Sequence, residues 1–326
     1  MNSKSQPFDY SVVIRTLGTS GEKYEALLHS IEAQSVKPKE VIVVMAHGYS
    51  LSPYHSKYER VVWTRKGMVN QRQVGFEESK SPLLLVVDDD VAFDEDFVER
   101  MHDHMLKTKA DCIFPVAESP IGGGKSRAKN LRSLVLGAKR FSHSKNPYYL
   151  RIGATGGTIV NTSMTEEDLH WCQTANFQCF FIKRETALDV HLEDEMWLED
   201  TGYAWPDDQV FFYKAYLRGC KTLLTQDIRY QHLDAKSGNV KVDKTYKDHY
   251  LHQRNITIFW HRFLWKPALG WWRKTQLLMG LTYKIGITTL FYYVKCVVRG
   301  KLGILLNGLD GYRDAMKFIR KNKIKI

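Results

Sequence analysis

Three consecutive carboxylates, Asp88, Asp89 and Asp90, directly follow an apolar run that extends from Pro82 to Val87. The run is apolar and β-branched enough to form a buried strand. Because burial of unpaired carboxylates costs several kcal/mol, we expect these acids at the open end of that strand. On an extended chain Asp88 and Asp90 project to one side and Asp89 to the other. Hard divalent cations take oxygen ligands and bridge to phosphates, so the stretch favours a Mg²⁺ or Mn²⁺ site.

The alternative for this acidic run is a helix cap. A helical pattern begins near residues 93–97, and acids at the first turn of a helix are favourable. One cap needs one acid, whereas three stand in a row here. We therefore prefer the metal interpretation.

A second acidic pair, Asp207-Asp208, opens a helical pattern that ends at Gly219. These acids either stabilise the helix start, by ~0.3–1 kcal/mol each, or deliver a general base to the end of the sheet. The pair Glu199-Asp200 competes for the second role. His232 follows a strand pattern, and although a lone His is more often structural, an imidazole can join carboxylates around a cation.

The elements that must position these residues alternate between strand and helix. Strands are predicted over residues 10–16, 40–45, 61–63, 83–87, 111–115, 176–182, 221–225 and 228–232, and helices over 22–34, 70–78, 97–108, 184–189 and 207–218. This alternation predicts an α/β fold with right-handed crossovers and a mostly parallel sheet flanked by helices. Such sheets bind ligands at the carboxyl ends of their strands. The long irregular stretch 119–158, with Gly122 to Gly124, is typical of a functional or mobile loop.

The net charge of +11 is concentrated in one segment. Residues 266–326 contain 13 Lys and Arg against two Asp, so the rest of the chain is neutral. No nucleic-acid-binding motif accompanies this charge, and nucleic acid is not an expected partner. The segment interleaves its charges with Trp, Leu, Ile, Tyr and Phe, which favours an anionic membrane surface. The alternative is a basic helical hairpin that packs on the rest of the chain.

Two further features bear on location. The longest uncharged run of the tail, residues 285–294, is shorter than the ~20 residues that a spanning helix needs. The five cysteines have no metal or redox spacing, and the first seven residues have no apolar core. We therefore expect reduced thiols, no signal peptide and a cytoplasmic protein.

The ordered set of motifs resembles the family 2 inverting glycosyltransferases of the GT-A fold, over roughly residues 10–265. The matching pieces are the first strand with its helix, the strand after Pro38-Lys39, Gln71-Arg72-Gln73-Val74-Gly75 where the family has Ala-Arg-Asn-x-Gly, Asp88 to Asp90 where it has Asp-x-Asp, Asp207-Asp208-Gln209 with the helix to Gly219 where it has Glu-Asp-x-Asp, His232 with Ser237, and Arg254-Asn255. The resemblance implies a GT-A (Rossmann-like) catalytic domain over 1–265. The remainder, 266–326, is then an amphipathic, helical, membrane-associating segment.

The resemblance also implies roles. Asp208 would be the catalytic base, and Asp90 with His232 would hold Mn²⁺ or Mg²⁺. Donor contacts would come from Thr16, Arg72, Asp88 and Asp89, with Asp88 on the ribose or sugar-phosphate side. Gly156, Gly157 and Asp207 would contact the acceptor.

Three positions depart from the family pattern. Strand two ends in Met45-Ala46-His47-Gly48, where the family commonly has an Asp for the nucleobase, so uridine, thymidine and guanosine stay open. Arg15 replaces a common Pro, and Asp207 stands where the family usually has Glu.

The expected function is a metal-dependent hexosyl transfer from a nucleotide-diphosphate sugar to a hydroxyl of a glycan, expected to be lipid-linked. The enzyme would serve cell-surface polysaccharide synthesis on the cytoplasmic face of the membrane. Two other classes stay open. One is a sugar nucleotidyltransferase, although Leu17-Gly18-Thr19-Ser20-Gly21 is only a faint phosphate loop. The other is an inactive glycan-binding scaffold.

Overall fold

The computed structural model describes residues 8–118, 139–140, 147–161, 169–233 and 247–321. The chain forms two compact units. The first comprises residues 1–123 and 165–239, and the second comprises 124–164 and 240–326. The predicted division at residue 265 stays a prediction.

The strands and helices are numbered in chain order. The strands are β1 (Tyr10–Thr16), β2 (Glu40–Ala46), β3 (Glu59–Thr64), β4 (Leu83–Asp88), β5 (Val91–Phe93), β6 (Cys112–Ala117), β7 (Lys139–Arg140), β8 (Leu150–Ile152), β9 (Thr158–Asn161), β10 (Leu169–Cys172), β11 (Cys179–Lys183) and β12 (Thr222–His232). The α-helices are α1 (Glu22–Ala33), α2 (Met68–Glu78), α3 (Phe97–Thr108), α4 (Arg184–Asp189), α5 (Asp207–Leu217), α6 (His252–Phe259), α7 (Trp271–Arg299) and α8 (Gly303–Lys321). A 3₁₀ helix covers Leu192–Leu198, and π-helical turns, Lys247–Leu251 and Trp260–Trp265, extend α6 at both ends.

The first unit is built on one mixed sheet in the order β3-β2-β1-β4-β11-β6-β12-β10, with β5 also paired to β12. The four strands β3 to β4 are mutually parallel, and β6 is parallel to β12. The side chains of β1, β2 and β4 are almost completely buried, as apolar runs without alternation predict. The α/β class with flanking helices is therefore confirmed, and the carboxyl ends of β1, β2 and β4 share one edge of the sheet.

The sheet is less parallel than the sequence predicts. Strand β11 lies between β4 and β6 and runs antiparallel to both. An apolar run such as Cys179–Lys183 has the same pattern in either direction, so its composition could not reveal this orientation. The two late strands predicted over 221–225 and 228–232 form one strand, β12, whose register shifts between Thr225 and Arg229.

Helix α2 packs closely on β1 and β2. The Gln71 side chain donates hydrogen bonds to the carbonyls of Thr16 (3.1 Å) and Val44 (2.8 Å). At Gly75 a Cβ atom would collide with Val13 Cγ1. The close approach of the helix to the sheet therefore requires a glycine at this position. This packing fixes the distance from the sheet at which α2 holds its side chains.

Gly75→Ala should lower the free energy of unfolding by ~1–3 kcal/mol, because the added methyl group has no space between the helix and the sheet. The melting temperature should fall accordingly. Gly286→Ala is the matched control, since nothing lies within 4 Å of the added methyl and Ala is the better helix former. Thermal and denaturant unfolding measure both. Equal effects of the two exchanges would contradict the close contact at Gly75.

The second unit contains a hairpin of β8 with β9, a short parallel pairing of β7 with β9, and the helices α6, α7 and α8. Helix α8 packs on α7, where Tyr312 Oη lies 2.7 Å from Thr288 Oγ1 and a Cβ at Gly308 would lie 2.6 Å from Tyr292 Cδ2. Gln253 of α6 donates to Tyr292 Oη at 2.5 Å. The basic tail is thus helical, as predicted, and its two helices pack on each other.

Candidate active site

The carboxyl end of β4 presents Asp88 to two arginines. Arg15 of β1 stands opposite Asp88 in the parallel register, and its Nη2 lies 3.1 Å from Asp88 Oδ1. Arg72 Nη2 of α2 lies 3.4 Å from the same oxygen. The Asp88 carboxylate is therefore held at the sheet edge by two guanidinium groups.

Arg72 connects this edge to the start of helix α5. Its side chain is buried (3% exposed) and forms an ion pair with Asp207. The guanidinium lies over the ring of Phe177, 3.9 Å from the ring centroid, a cation–π contact. Burial lowers the pKa of Arg72, although the carboxylates of Asp207 and Asp88 oppose this shift. The ion pairs of Arg72 hold the carboxyl end of β4 close to the amino end of α5.

The chain turns after Asp88. The prediction that the chain stays extended from Asp88 to Asp90 is wrong. Strand β4 ends at Asp88, and Asp89 and Asp90 form a turn into β5. Helix α3 begins after Asp96, beyond β5, so none of the three acids caps it. The helix-cap alternative for this cluster is therefore excluded.

Asp89 points to the loop after β1. The Thr16 hydroxyl donates to Asp89 Oδ2 at 2.5 Å, and the amide of Gly18 donates to Thr16 Oγ1 at 2.8 Å. Burial raises the pKa of Asp89, and its hydrogen bonds counteract this. Thr16 and Asp89 thus contact each other at the strand edge, and their role as donor contacts stays a prediction.

Asp90 and His232 are brought together by strand pairing. Strand β5 pairs with the end of β12, with His232 opposite Val91, and the amide of Leu233 donates to the Asp90 carbonyl at 2.8 Å. His232 Nε2 consequently lies 3.5 Å from Asp90 Oδ1, and each side chain is 13% exposed. The register of two strands therefore fixes an oxygen and a nitrogen donor side by side.

This pair suits a divalent cation. A carboxylate and an imidazole at this separation can turn toward one ion, and Mn²⁺ accepts both donor types while Mg²⁺ prefers oxygen. Among the described residues, no group of three or more His, Cys, Asp and Glu forms a metal site. Asp90 and His232 thus fit as two protein ligands, with the other positions left to substrate or water.

Asp208 lies in the first turn of helix α5 and is half-buried. Its Oδ1 accepts a hydrogen bond from the Gln209 amide at 2.7 Å. Burial and the adjacent Asp207 carboxylate raise the pKa of Asp208 to about 7. A carboxylate that titrates near neutrality is suited to general-base catalysis.

The competing pair Glu199-Asp200 has a different arrangement. Glu199 Oε1 accepts hydrogen bonds from the amides of Val69 and Asn70, both at 2.8 Å, and its Oε2 lies 2.6 Å from Arg65. Glu199 therefore accepts hydrogen bonds from the backbone N–H groups at the start of helix α2. Asp200 is exposed. The geometry favours Asp208 over this pair as the base.

Gly156 and Gly157 lie in the second unit, in the turn between β8 and β9. The Gly153 amide donates to the Gly157 carbonyl at 2.9 Å, and Gly156 has a φ of 78°, which favours glycine. Their predicted contact with an acceptor stays a prediction. Ser237 and the glycines 122–124 lie outside the described residues.

Sequence reasoning missed the interactions of Arg15 and Phe177. Arg15 is a charged residue inside an otherwise apolar strand, directly before its carboxyl end. That position was a signal for a site residue. No sequence signal indicated Phe177, because its contact with Arg72 joins segments that are far apart in the chain.

Comparisons with known proteins concern the family and the fold. Residues 11–167 match the family described as Glycosyl transferase family 2. The chain is similar to the crystal structure of GalNAc-T7 with UDP, GalNAc and Mn²⁺, with a TM-score of 0.51 and 13% identity over 85% of this chain and 54% of that one. It is also similar to S. aureus TarS 1-349 in complex with UDP-GlcNAc, with a TM-score of 0.51 and 15% identity over 96% of this chain and 92% of that one. The chain thus spans about half the length of the first relative, and the likenesses show a shared fold. No curated protein matches the sequence.

Proposed function

We propose, from the premise that this chain is a family 2 glycosyltransferase of the GT-A fold, that it transfers a sugar from a nucleotide-diphosphate sugar to a hydroxyl group, with inversion. The observation that carries the proposal is the arrangement around Arg72. One buried guanidinium joins Asp88, at the end of β4, to Asp207, the first residue of α5. The proposed donor-binding residues at the end of β4 and the proposed base at the start of α5 are thereby held together in the first unit.

Asp208 is the proposed base. The acceptor oxygen would attack the anomeric carbon as its proton passes to the Asp208 carboxylate. A carbon–oxygen bond to the acceptor forms, the bond from the anomeric carbon to the diphosphate oxygen breaks, and the nucleoside diphosphate leaves. A positioned base of this kind contributes ~10²–10⁴-fold. Asp207 is held by Arg72, and this pair would fix the start of α5 and hence the position of Asp208.

Thr16, Arg72, Asp88 and Asp89 are the proposed donor contacts, and Arg15 is added because it shares Asp88 with Arg72. Two guanidinium groups near the sheet edge would favour an anionic diphosphate. Asp88, already oriented by them, would accept hydrogen bonds from the ribose or from the sugar-phosphate side.

Asp90 and His232 would hold Mn²⁺ or Mg²⁺. When bound, such an ion supplies Lewis-acid stabilisation of charge on a diphosphate leaving group. The relative GalNAc-T7 was crystallised with Mn²⁺ and UDP, and TarS with UDP-GlcNAc. These ligands support a uridine-diphosphate sugar as the first donor to test.

The acceptor is proposed to be a glycan hydroxyl, lipid-linked, in the synthesis of a cell-surface polysaccharide. The proposed location is the cytoplasmic face of the membrane, peripheral to it. The support is the basic, aromatic tail over residues 266–326.

A thermal-shift screen of UDP-, TDP- and GDP-sugars, with Mn²⁺ or with EDTA, tests the proposal. A donor at about 100 times its dissociation constant should stabilise the protein by ~2.7 kcal/mol. Release of nucleoside diphosphate, with an inverted anomeric configuration by NMR, would establish transfer. Formation of pyrophosphate from a nucleoside triphosphate and a sugar phosphate would instead indicate a nucleotidyltransferase. Donor binding without turnover on any acceptor would favour the scaffold alternative.

A further inference from the structure

The helices α7 and α8 expose most of the large apolar side chains that lie on the protein's surface. Among the described residues, 15 of the 19 exposed large apolar side chains lie between Leu269 and Met316. Met279 is 68% exposed, Trp271 is 76% exposed and Val298 is 78% exposed. A concentration of exposed apolar side chains on one part of a protein surface marks an interaction site.

The outward side of α7 carries no charge over most of its length. Its buried residues recur every three or four positions and form one stripe, which comprises Leu277, Leu281, Lys284, Thr288 and Tyr292. Lys284 is the single charged residue between Lys274 and Lys295, and it lies in the buried stripe. The surface that α7 presents to its surroundings between these two lysines is therefore apolar or uncharged.

The same segment carries the whole positive excess of the chain. It has 13 Lys and Arg against two Asp, and both Asp are paired: Asp310 with Arg313 at 2.9 Å and Asp314 with Lys317 at 3.2 Å. An apolar surface edged by uncompensated cations is complementary to anionic lipid, and each Lys or Arg near such a surface contributes ~1 kcal/mol.

Helix α7 could cross a membrane by length and composition alone. It has 29 residues, and one 18-residue window has a mean hydropathy of 1.2. This differs from the expectation drawn from the uncharged run over residues 285–294, because the 18-residue window extends past Lys284, the charged residue that borders that run. Composition thus leaves two orientations, across the membrane or along it.

The packing of α8 distinguishes them. Tyr312 meets Thr288 and Gly308 meets Tyr292, so α8 runs antiparallel beside the middle of α7. Beyond these contacts, Arg313 and Lys317 are about 60% exposed. If α7 crossed a bilayer, these charged side chains would lie at its apolar centre, where charge is strongly unfavourable. If α7 lies along the surface, they can stay on the water side.

We propose that α7 and α8 form an anchor that binds an anionic membrane surface, with α7 in the plane of the membrane. The outward apolar side chains of α7 enter the headgroup boundary, while Arg and Lys at its ends contact lipid phosphates. The anchor deepens the proposed function, because it would hold the enzyme at the membrane surface that contains a lipid-linked acceptor. Only this link to the acceptor rests on the proposed function.

Flotation of the full chain with lipid vesicles tests the anchor. We expect binding to vesicles of phosphatidylcholine with phosphatidylglycerol, weakening of that binding by salt, and weaker binding to phosphatidylcholine alone. Met279→Glu and Val298→Glu, tested separately, should each reduce the partition coefficient by ~10-fold or more, because each replaces an apolar contact by a repelled charge. Leu106→Glu, at a 57% exposed position of α3, is the matched control and should bind like the wild type.

Several results would overturn the proposal. Equal binding to neutral and anionic vesicles, or wild-type binding by both α7 variants, would exclude the anionic surface. A wild-type dimer in light scattering that Met279→Glu converts to a monomer, without vesicle binding, would assign this face to a second copy of the chain. Retention of the wild type in membranes after alkaline carbonate would contradict the in-plane orientation. Donor-induced thermal shifts of the same variants should match the wild type, so failure of the anchor is distinguishable from failure of the proposed function.

Discussion

Replacing Asp208 by Asn should reduce sugar transfer by ~10²–10⁴-fold while donor affinity changes little. The amide keeps the shape and can still accept the Gln209 amide hydrogen bond, but it cannot take the acceptor's proton. Initial rates at saturating acceptor, together with donor dissociation constants from calorimetry, measure the two effects separately.

Asp200→Asn is the matched control for this prediction. Asp200 is exposed and its neighbour Glu199 satisfies the start of α2, so the exchange should leave the rate within a small factor of the wild type. If Asp200→Asn abolished transfer and Asp208→Asn did not, the base would be in the upstream pair, and the proposed role of α5 would be wrong.

The pH dependence of Asp208 has a defined sign. A base must be deprotonated, so the wild-type rate should rise as the pH increases through about 7, the pKa of Asp208. For stability the sign is opposite. A carboxyl whose pKa is raised on folding stabilises the protein at low pH, and this contribution is lost as the pH rises through the folded pKa. Asp208→Asn should therefore have a higher melting temperature than the wild type at pH 8, and this difference should disappear toward pH 4.

Much of the first unit could be predicted from the sequence because its signals are local. The apolar run before Asp88 is long enough to indicate a buried strand, and the helix predicted over residues 97–108 has the bounds of α3. The placement of Asp88 at the carboxyl end of a buried strand follows from that run alone. The assignment of roles, such as the base at Asp208, came from the ordered resemblance to a family and not from local pattern.

The remainder depends on contacts between distant segments. Whether the chain stays extended through Asp90 is decided by the pairing of β5 with the end of β12, which also brings His232 to Asp90. The ion pairs of Arg72 join α2, β4 and α5, and no spacing in the sequence encodes such a meeting. The second unit likewise combines residues 124–164 with 240–326, two segments that no composition shift connects.

Asp90→Ala and His232→Ala should each remove the Mn²⁺-dependent part of donor binding. In the wild type, a donor at about 100 times its dissociation constant gives ~2.7 kcal/mol of stabilisation in the presence of Mn²⁺, and EDTA should reduce it strongly. Each variant lacks one of the two side chains that lie 3.5 Å apart at the end of β12. The donor-induced shift of the variants should therefore be small and insensitive to EDTA, with a melting temperature near that of the wild type when no donor is added.

Asp94→Ala is the matched control, because Asp94 is an exposed acid four residues after Asp90 and follows β5. It should keep the full Mn²⁺-dependent shift. Calorimetry with Mn²⁺ and a nucleoside diphosphate gives a readout that does not require transfer, and the heat of metal binding should be lost in Asp90→Ala and kept in Asp94→Ala. Tight, EDTA-insensitive donor binding by Asp90→Ala would show that the carboxylate at this position holds no ion. The family fold would then act without metal at this edge, and Arg15 and Arg72, which already flank Asp88, would be the groups that neutralise the diphosphate.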